Sequence, residues 1–298
     1  ARRRFPLLGS GAMVRERSKP TGTHTVTQEN LQISLIQSEV KWHDSAANLA
    51  SFAEQIARLE NPGHLIMLPE TFASGFTQEP AKAAEAMDGP AVSFMREQSR
   101  LTGAAITGSL AIADRGHYFN RMLFVSDGEV LGSYDKKHLF TLAGEHKRYA
   151  AGSERVIVDY LGWRICLQVC YDLRFPVFSR CRNDYDLLLY VANWPMPRAH
   201  AWSTLLRGRA IENLCYTFGV NRTGLDGNNW EYAGGSAAVD YLGHDLVDLG
   251  TEPGSATVTI SLADQNAFRD KFRFLDDADD FVLLDGERQE KTALRGAG

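Results

Sequence analysis

The chain has few cysteines and no long apolar run, and both absences narrow the class of protein. Four cysteines in 298 residues give no small-domain disulfide density, so a reducing compartment, the cytoplasm, is expected. No apolar run approaches the roughly 18 residues of a membrane span. The net charge of −5 also argues against the clustered basic side chains that bind nucleic acid. We therefore expect neither a membrane nor a nucleic-acid partner.

Several catalytic sequence patterns are missing as well. No glycine-rich dinucleotide or phosphate loop follows a predicted strand, and no GxSxG serine elbow occurs. Cys166 and Cys170 have three residues between them, whereas zinc sites usually have two, and no histidine pair with ligand spacing lies nearby. On an extended strand the two cysteines would be about 13 Å apart. A metal site is therefore not expected.

The two ends of the chain differ in composition from its body. The first 19 residues carry six basic side chains and one acidic side chain, without the apolar core of a signal peptide. We interpret residues 1–26 as residues left by cloning or as a disordered N-terminal extension. No linker divides residues 27–275, which we interpret as a single domain. Residues 276–298 begin with DDADD and are interpreted as a tail that lies on the surface or in a dimer contact.

Between these ends, strand-like and helix-like patterns alternate. Short apolar runs predict strands, among them LQISLIQ (31–37), HLIMLPE (64–70), WRICLQV (163–169) and DLLLYVANW (186–194). Helical spacing of apolar residues predicts helices near 44–60, 90–102 and 198–214. Asp127-Gly128 between two strand-like runs indicates a hairpin. The order of these elements predicts an α/β fold in which two mixed sheets pack face to face.

The cysteine at the end of one predicted strand is the first candidate for chemistry. Cys170 ends the run WRICLQVC, where the polar stretch YDLR begins, and functional sites gather at strand ends in α/β proteins. Cys166, Cys181 and Cys215 have apolar or structured neighbours and are predicted to be core residues. The residues alone leave two interpretations of Cys170 equally open, a nucleophile and a buried bystander.

Two charged residues occupy the ends of other predicted strands. Glu70 closes HLIMLPE, and a carboxylate there is either a hydrogen-bonded loop residue or a general base. Lys136 follows SYD and is either a solvated charge or a fixed cation for a developing oxyanion. Each is weak evidence alone, but an acid, an amine and a thiol at three strand ends form a possible catalytic group.

The segments around these three residues resemble one known family. LPETF around Glu70, YDKKHLF around Lys136 and CYDLRFP around Cys170 are similar to the three catalytic motifs of the nitrilase (carbon–nitrogen hydrolase) superfamily. The resemblance extends over about 31–262 and includes ANWP (192–195) and RAIEN (209–213). It implies an αββα sandwich of two mixed sheets flanked by helices, which forms dimers through its helices.

The resemblance also implies roles for individual residues. Glu70 would be the general base, Cys170 the nucleophile, and Lys136, rather than Lys137, the residue that stabilises the oxyanion. The backbone N–H of Tyr171 would also hold the oxyanion. Glu145, in AGEHKRY, matches a second family glutamate. No metal or organic cofactor is implied, and a lysine beside the thiol is expected to lower the thiol pKa.

Details of the motifs indicate the branch of the superfamily. Tyr-Asp after Cys170 differs from the Trp-Glu typical of true nitrilases, and the combined motifs look most like those of bacterial omega-amidases. The implied substrate is a small acid with a terminal amide, such as 2-oxoglutaramate or 2-oxosuccinamate.

Such a substrate carries a carboxylate, which arginine binds well. Arg174 is the nearest candidate, although a structural ion pair with Asp172 or a neighbour is at least as strong an alternative. Phe76 and Trp194 are predicted either to line the pocket or to pack in the core. The alternatives to an omega-amidase are an N-carbamoyl amino acid amidohydrolase, a glutathione-like amidase, a nitrilase, and a non-catalytic binding scaffold.

Overall fold

A computed structural model describes residues 28–283 of the chain. The predicted N-terminal extension, 1–26, and the last part of the predicted tail, 284–298, lie outside the described residues. No helix within residues 28–283 is long and apolar enough to cross a membrane.

Six strands form the first sheet, and the three at its centre run parallel. In spatial order the strands are β14 (Gly254–Ser261), β1 (Asn30–Gln37), β2 (Leu65–Met67), β3 (Ala105–Asp114), β4 (His117–Ser126) and β5 (Glu129–Asp135). The parallel strands are β1, β2 and β3, and the outer strands pair with them or with one another in antiparallel fashion. The sheet is therefore mixed.

The second sheet repeats this plan. In spatial order its strands are β13 (Asp245–Asp248), β12 (Ala237–Val239), β9 (Tyr216–Asn221), β8 (Leu187–Ala192), β7 (Trp163–Val169) and β6 (Ile157–Tyr160). Strands β7, β8 and β9 are parallel, and the others are antiparallel. A separate hairpin joins β10 (Thr223–Leu225) to β11 (Glu231–Ala233). Both sheets thus place the carboxyl ends of three parallel strands together.

Alternation along the strands explains why the two sheets pack face to face. Leu65 and Met67 of β2 belong to one continuous apolar cluster with residues of the second sheet such as Leu167. Ile66, between them, points the other way and packs with Phe52 in the outer cluster. Because successive side chains on a strand face opposite sides, the first sheet has an apolar surface on each face.

Helices cover the outer faces. They are α1 (Ser45–Ala57), α2 (Pro80–Ala83), α3 (Pro90–Thr102), α4 (Pro176–Ser179), α5 (Ala199–Asn213) and α6 (Leu262–Phe272). Asp44 caps α1 by accepting a hydrogen bond from the backbone of Ala47 at 3.0 Å. Pro90 begins α3, and Gly103 ends it with a φ of 70°. The predicted helices, the hairpin and the αββα sandwich are confirmed, with boundaries within a few residues.

The beginning of the predicted tail folds back onto its own chain. Phe281 lies beneath the guanidinium of Arg182, whose Cζ is 4.4 Å from the ring centroid. Arg182 also donates a hydrogen bond to the backbone oxygen of Phe281. The described part of the tail therefore packs near α4, and its predicted place in a dimer contact stays a prediction.

Candidate active site

The candidate residues lie where strands end. Glu70 follows β2, Cys170 follows β7 directly, and Asn193 follows β8 directly. These three strands belong to the parallel centres of the two sheets, and their carboxyl ends meet at one edge of the sandwich, the usual place for a site in α/β proteins. Lys136, directly after β5, reaches the same point from the antiparallel side.

Two buried carboxylates hold the lysine. The Nζ of Lys136 donates to Glu70 Oε1 at 3.0 Å and to both carboxylate oxygens of Glu145 at 3.0 Å. Lys136 and Glu70 are each 1% exposed, and Glu145 is fully buried. Three donors on an ammonium group can satisfy three such acceptors at once. The position of the Lys136 amine is thus fixed from two sides.

Two asparagines orient the Glu70 carboxylate. Asn120 Nδ2 donates to Glu70 Oε1 at 2.7 Å, and the backbone N–H of Asn193 donates to Oε2 at 2.6 Å. The side chain of Asn193 also binds the backbone oxygen of Glu70 at 2.8 Å. Asn120 itself is held by Ser109, whose hydroxyl donates to Oδ1 at 2.8 Å. Both carboxylate oxygens therefore have fixed directions before any substrate binds.

Cys170 projects from a strained backbone. Its φ is 48°, a left-handed conformation that side-chain-bearing residues rarely adopt. It begins a 3₁₀ turn over Cys170–Arg174, immediately after β7. The thiol lies 3.9 Å from the backbone oxygen of Asn193, to which it donates, and the residue is 9% exposed. The sulfur thus lies beside the Asn193–Glu70 contact, at the opening of a buried charged cluster.

Asp172 fixes this turn. One of its oxygens accepts from the Tyr134 hydroxyl at 2.7 Å and from the backbone of Val169 at 3.0 Å. The other accepts from the backbone of His138 at 2.9 Å and contacts its ring Nδ1 at 2.7 Å. The suggested ion pair between Asp172 and Arg174 is therefore wrong, because the Asp172 carboxylate faces inward, toward groups on the other side of the turn.

The electrostatics of the cluster differ from one expectation. Burial and then the negative charge of Glu70 raise the pKa of the Cys170 thiol well above its ordinary value, and the opposing effect of Lys136 is smaller. Burial alone would lower the pKa of Lys136, but the carboxylates of Glu145 and Glu70 raise it well above its ordinary value. The expected lowering of the thiol pKa by the lysine is thus present but outweighed, and the site favours the protonated thiol.

Burial also raises the pKa of Glu145, against the effect of Lys136. Phe140 offsets part of this cost, since its backbone N–H donates to Glu145 Oε2 at 2.6 Å. The hydrogen-bond partners of the Glu145 carboxylate are all donors, namely Lys136, Phe140 and Asn120. This environment suits a carboxylate and no other side chain of its size.

The remaining predicted residues lie at the rim of this cluster. The ring centroid of Phe76 is 5.2 Å from Lys136 Nζ, and Phe76 is half-buried. Tyr171 is half-buried beside Phe140, with ring centroids 4.9 Å apart. Trp194 is 3% exposed, and Arg174 lies over it with Cζ 4.8 Å from the ring centroid. Trp194 is buried, as the core interpretation predicts, and its ring also contacts Arg174.

Sequence reasoning missed several groups that shape the site. Asn120 lies in the middle of β4, with no local signal. Asn193 belongs to ANWP, a segment that pointed to the family but not to this contact. Asp172 was taken as a neighbour of Cys170, whereas it anchors the whole turn. Among the residues that the structure describes, no group of three or more histidine, cysteine or acidic side chains is arranged to hold a metal ion.

The αββα sandwich thus brings an acid, an amine and a thiol together at its strand ends. The family model described as carbon–nitrogen hydrolase matches residues 32–270. The chain therefore belongs to the carbon–nitrogen hydrolase family, within the nitrilase superfamily, and it is an enzyme that hydrolyses carbon–nitrogen bonds.

Individual relatives agree with this family. The chain is 43% identical to Omega-amidase YafV of Escherichia coli K12 over 254 residues, which are 85% of this chain and 98% of the relative. It is 30% identical to the 2-oxoglutaramate amidase of Bacillus subtilis over 250 residues, 82% of this chain and 96% of that one.

A solved structure supports the fold directly. The crystal structure of XC1258 from Xanthomonas campestris, a CN-hydrolase superfamily protein with an arsenic adduct in its active site, matches with a TM-score of 0.83 and 48% identity. The match covers 86% of this chain and all of that one. Saccharomyces cerevisiae Nit3 matches with a TM-score of 0.75, 84% coverage of this chain, 96% coverage of that chain and 21% identity, and thus supports the fold alone.

Proposed function

We propose that this protein is a cysteine-dependent amidase that hydrolyses the terminal amide of a small carboxylic acid, such as 2-oxoglutaramate or 2-oxosuccinamate, to the acid and ammonia. The observation that carries the proposal is the fixed contact of Glu70 with Lys136 at 3.0 Å beside the Cys170 thiol. Similarity to Omega-amidase YafV and to a 2-oxoglutaramate amidase supports the substrate class.

In the first half of the reaction, the Cys170 sulfur attacks the amide carbon. Because burial and Glu70 raise the thiol pKa, a base must take the thiol proton during the attack, and the Glu70 carboxylate is in position to do so. The attack converts the carbonyl oxygen into an oxyanion. The protonated Lys136 amine and the backbone N–H of Tyr171 stabilise this oxyanion. Glu70 then passes the proton to the leaving nitrogen, and ammonia departs from a thioester.

In the second half, water replaces ammonia. Glu70, again a carboxylate, takes a proton from water as the water attacks the thioester carbon. The same two donors stabilise the second oxyanion, and its collapse breaks the carbon–sulfur bond. Glu70 returns the proton to the sulfur, so the acid is released and the neutral thiol is restored. Glu145 acts through Lys136 and is a positioning residue, since it holds the amine with both oxygens.

The substrate would enter from the rim formed by Phe76, Tyr171 and Arg174. The Arg174 guanidinium lies over Trp194 with Cζ 4.8 Å from the ring centroid, and its N–H groups could bind a carboxylate. A pocket with an apolar wall and a cation at its far side suits a short chain that has an amide at one end and a carboxylate at the other.

A substrate panel tests the proposal. Ammonia release is measured with 2-oxoglutaramate, 2-oxosuccinamate, glutamine and an N-carbamoyl amino acid, and carboxylate release with a nitrile. The 2-oxo acid amides are expected to have the highest kcat/KM. Preference for a nitrile or a carbamoyl substrate would contradict the proposed branch. No turnover of any substrate by folded protein would favour a non-catalytic scaffold.

We also propose that the protein forms a homodimer or a higher homo-oligomer and acts in a reducing compartment, the cytoplasm. Exposed apolar side chains on helices support a self-contact, since Ile211 on α5 and Val177 on α4 are each 52% exposed. All four cysteines are unpaired, as expected where thiols stay reduced. Light scattering after size exclusion tests the first part, and a monomer at tens of micromolar would contradict it.

A further inference from the structure

Two half-buried arginines near the site, Arg174 and Arg198, have no hydrogen-bond acceptor for their guanidinium groups among residues 28–283. Arg174 and Arg198 each contact aromatic rings, and neither side chain donates a hydrogen bond to any residue within 28–283. The other half-buried arginines of that range behave differently. Each of them donates a hydrogen bond to a carboxylate or to a backbone oxygen. These arginines are Arg96, Arg155, Arg164, Arg180 and Arg207.

Arg198 is linked by ring contacts to the segment that carries Cys170. Its Cζ is 5.3 Å from the ring centroid of Phe140 and 5.8 Å from that of Trp230. Phe140 packs against Tyr171, which follows Cys170 in the chain. The backbone oxygen of Arg198 also accepts from Trp194 Nε1 at 2.8 Å, so the segment that carries this arginine is fixed to the wall on which Arg174 rests.

The printed contacts of the two guanidinium groups are with aromatic rings, at 4.8 Å for Arg174 and at 5.3 and 5.8 Å for Arg198. A guanidinium that stacks on an aromatic ring keeps its five N–H donors in the plane, where they can bind a carboxylate in a bidentate manner. Aromatic rings also hold the group in place before the ligand arrives, which lowers the entropy lost on binding. Neither arginine has an acidic group of residues 28–283 within ion-pair distance, so each can accept an anion from outside the chain.

We infer that Arg198 binds the distal carboxylate of the substrate together with Arg174, and that it sets the preference for anionic over neutral amides. The inference rests on the proposed function and deepens it by assigning a specificity residue. The two arginines would grip opposite sides of one carboxylate, or its carboxylate and adjacent oxo oxygens, while the amide carbon meets Cys170. Arg198 takes no part in the chemical step, so its loss should act on substrate binding.

The experiment compares one anionic and one neutral amide of equal length, 2-oxoglutaramate and pentanamide, on wild type, Arg198→Gln, Arg198→Lys and Arg58→Gln. Arg58 is 77% exposed on its side chain at the end of α1, so its variant controls for the lost charge. For Arg198→Gln, KM for 2-oxoglutaramate should rise about tenfold to a hundredfold, the range of one charge-assisted hydrogen bond. Its kcat, and kcat/KM for pentanamide, should change less than about threefold.

Binding of the product gives a second readout that does not need turnover. The inhibition constant of 2-oxoglutarate should rise in parallel with KM in Arg198→Gln, less in Arg198→Lys, and not in Arg58→Gln. The inference would be overturned if Arg198→Gln lowered kcat/KM equally for both amides, or if it left the inhibition constant of 2-oxoglutarate unchanged. If wild type prefers the anionic amide and Arg198→Gln keeps that preference, only the assignment of Arg198 fails. If wild type shows no such preference, the proposed function fails and the assignment fails with it.

Discussion

Replacing Glu145 with glutamine changes one atom of the buried cluster from an acceptor to a donor. In the native site each oxygen of Glu145 accepts from Lys136 Nζ at 3.0 Å, one oxygen also accepts from the Phe140 backbone at 2.6 Å, and the other faces Asn120. A glutamine amide must therefore place its NH₂ group against existing donors in either orientation. It also removes one of the two negative charges that balance Lys136.

The cost follows from these contacts. Breaking a buried ion pair by removing one partner costs about 3–5 kcal/mol, but Lys136 keeps Glu70, so the free energy of unfolding should fall by about 3 kcal/mol, the lower end of that range. The amine of Lys136 would lose its fixed position. Because loss of one oxyanion donor lowers kcat by about 10²–10³-fold, we expect kcat of Glu145→Gln to fall about a hundredfold, with a much smaller change in KM.

The assay combines ammonia release from 2-oxoglutaramate with chemical unfolding of the same preparations. Asp186→Asn is a matched control, since Asp186 is a buried carboxylate that binds Arg164 at 2.6 Å and Arg269 at 3.0 Å, away from the cluster. This control should lose stability and keep kcat. A folded Glu145→Gln variant with kcat within threefold of wild type would refute the reasoning, and so would an equal loss of kcat in the control.

Three further outcomes are expected. Because burial and Glu70 raise the pKa of the Cys170 thiol above its ordinary 9.0, the rate of its alkylation should still rise with pH at pH 9.0. Glu70→Gln should shift this pH profile to lower pH and abolish amidase activity. A plateau of the alkylation rate below pH 8 in wild type would contradict this prediction. Asn120→Ala, which loses the 2.7 Å bond to Glu70, should lower kcat about tenfold to a hundredfold, as steady-state kinetics can check. Gly219→Ala should lower the free energy of unfolding by about 1–3 kcal/mol, since a Cβ there would lie 2.6 Å from Trp202; an unchanged denaturation midpoint would refute this.

The sequence carried enough information for the fold and for the meeting of the charged groups. Glu70 and Cys170 each end an apolar run, which marked them as candidates, and the resemblance to the family implied that they share one site. Asn120 was not predictable, because it lies mid-strand and reaches Glu70 only through the sheet register. The predicted lowering effect of Lys136 on the thiol pKa is present, but the larger effects of burial and Glu70 could not be predicted, because burial and the distance to each charge are properties of the folded chain.

The measurement that tests the account most directly is the mass of the Cys170 peptide after acid quenching during turnover of 2-oxoglutaramate, with ammonia release followed in the same mixture. The proposed mechanism predicts an adduct on Cys170 equal to the substrate less ammonia, formed as fast as ammonia appears and lost when the substrate is exhausted. A rapid burst of ammonia, equal to the enzyme concentration, from enzyme whose Cys170 stays unmodified would contradict it.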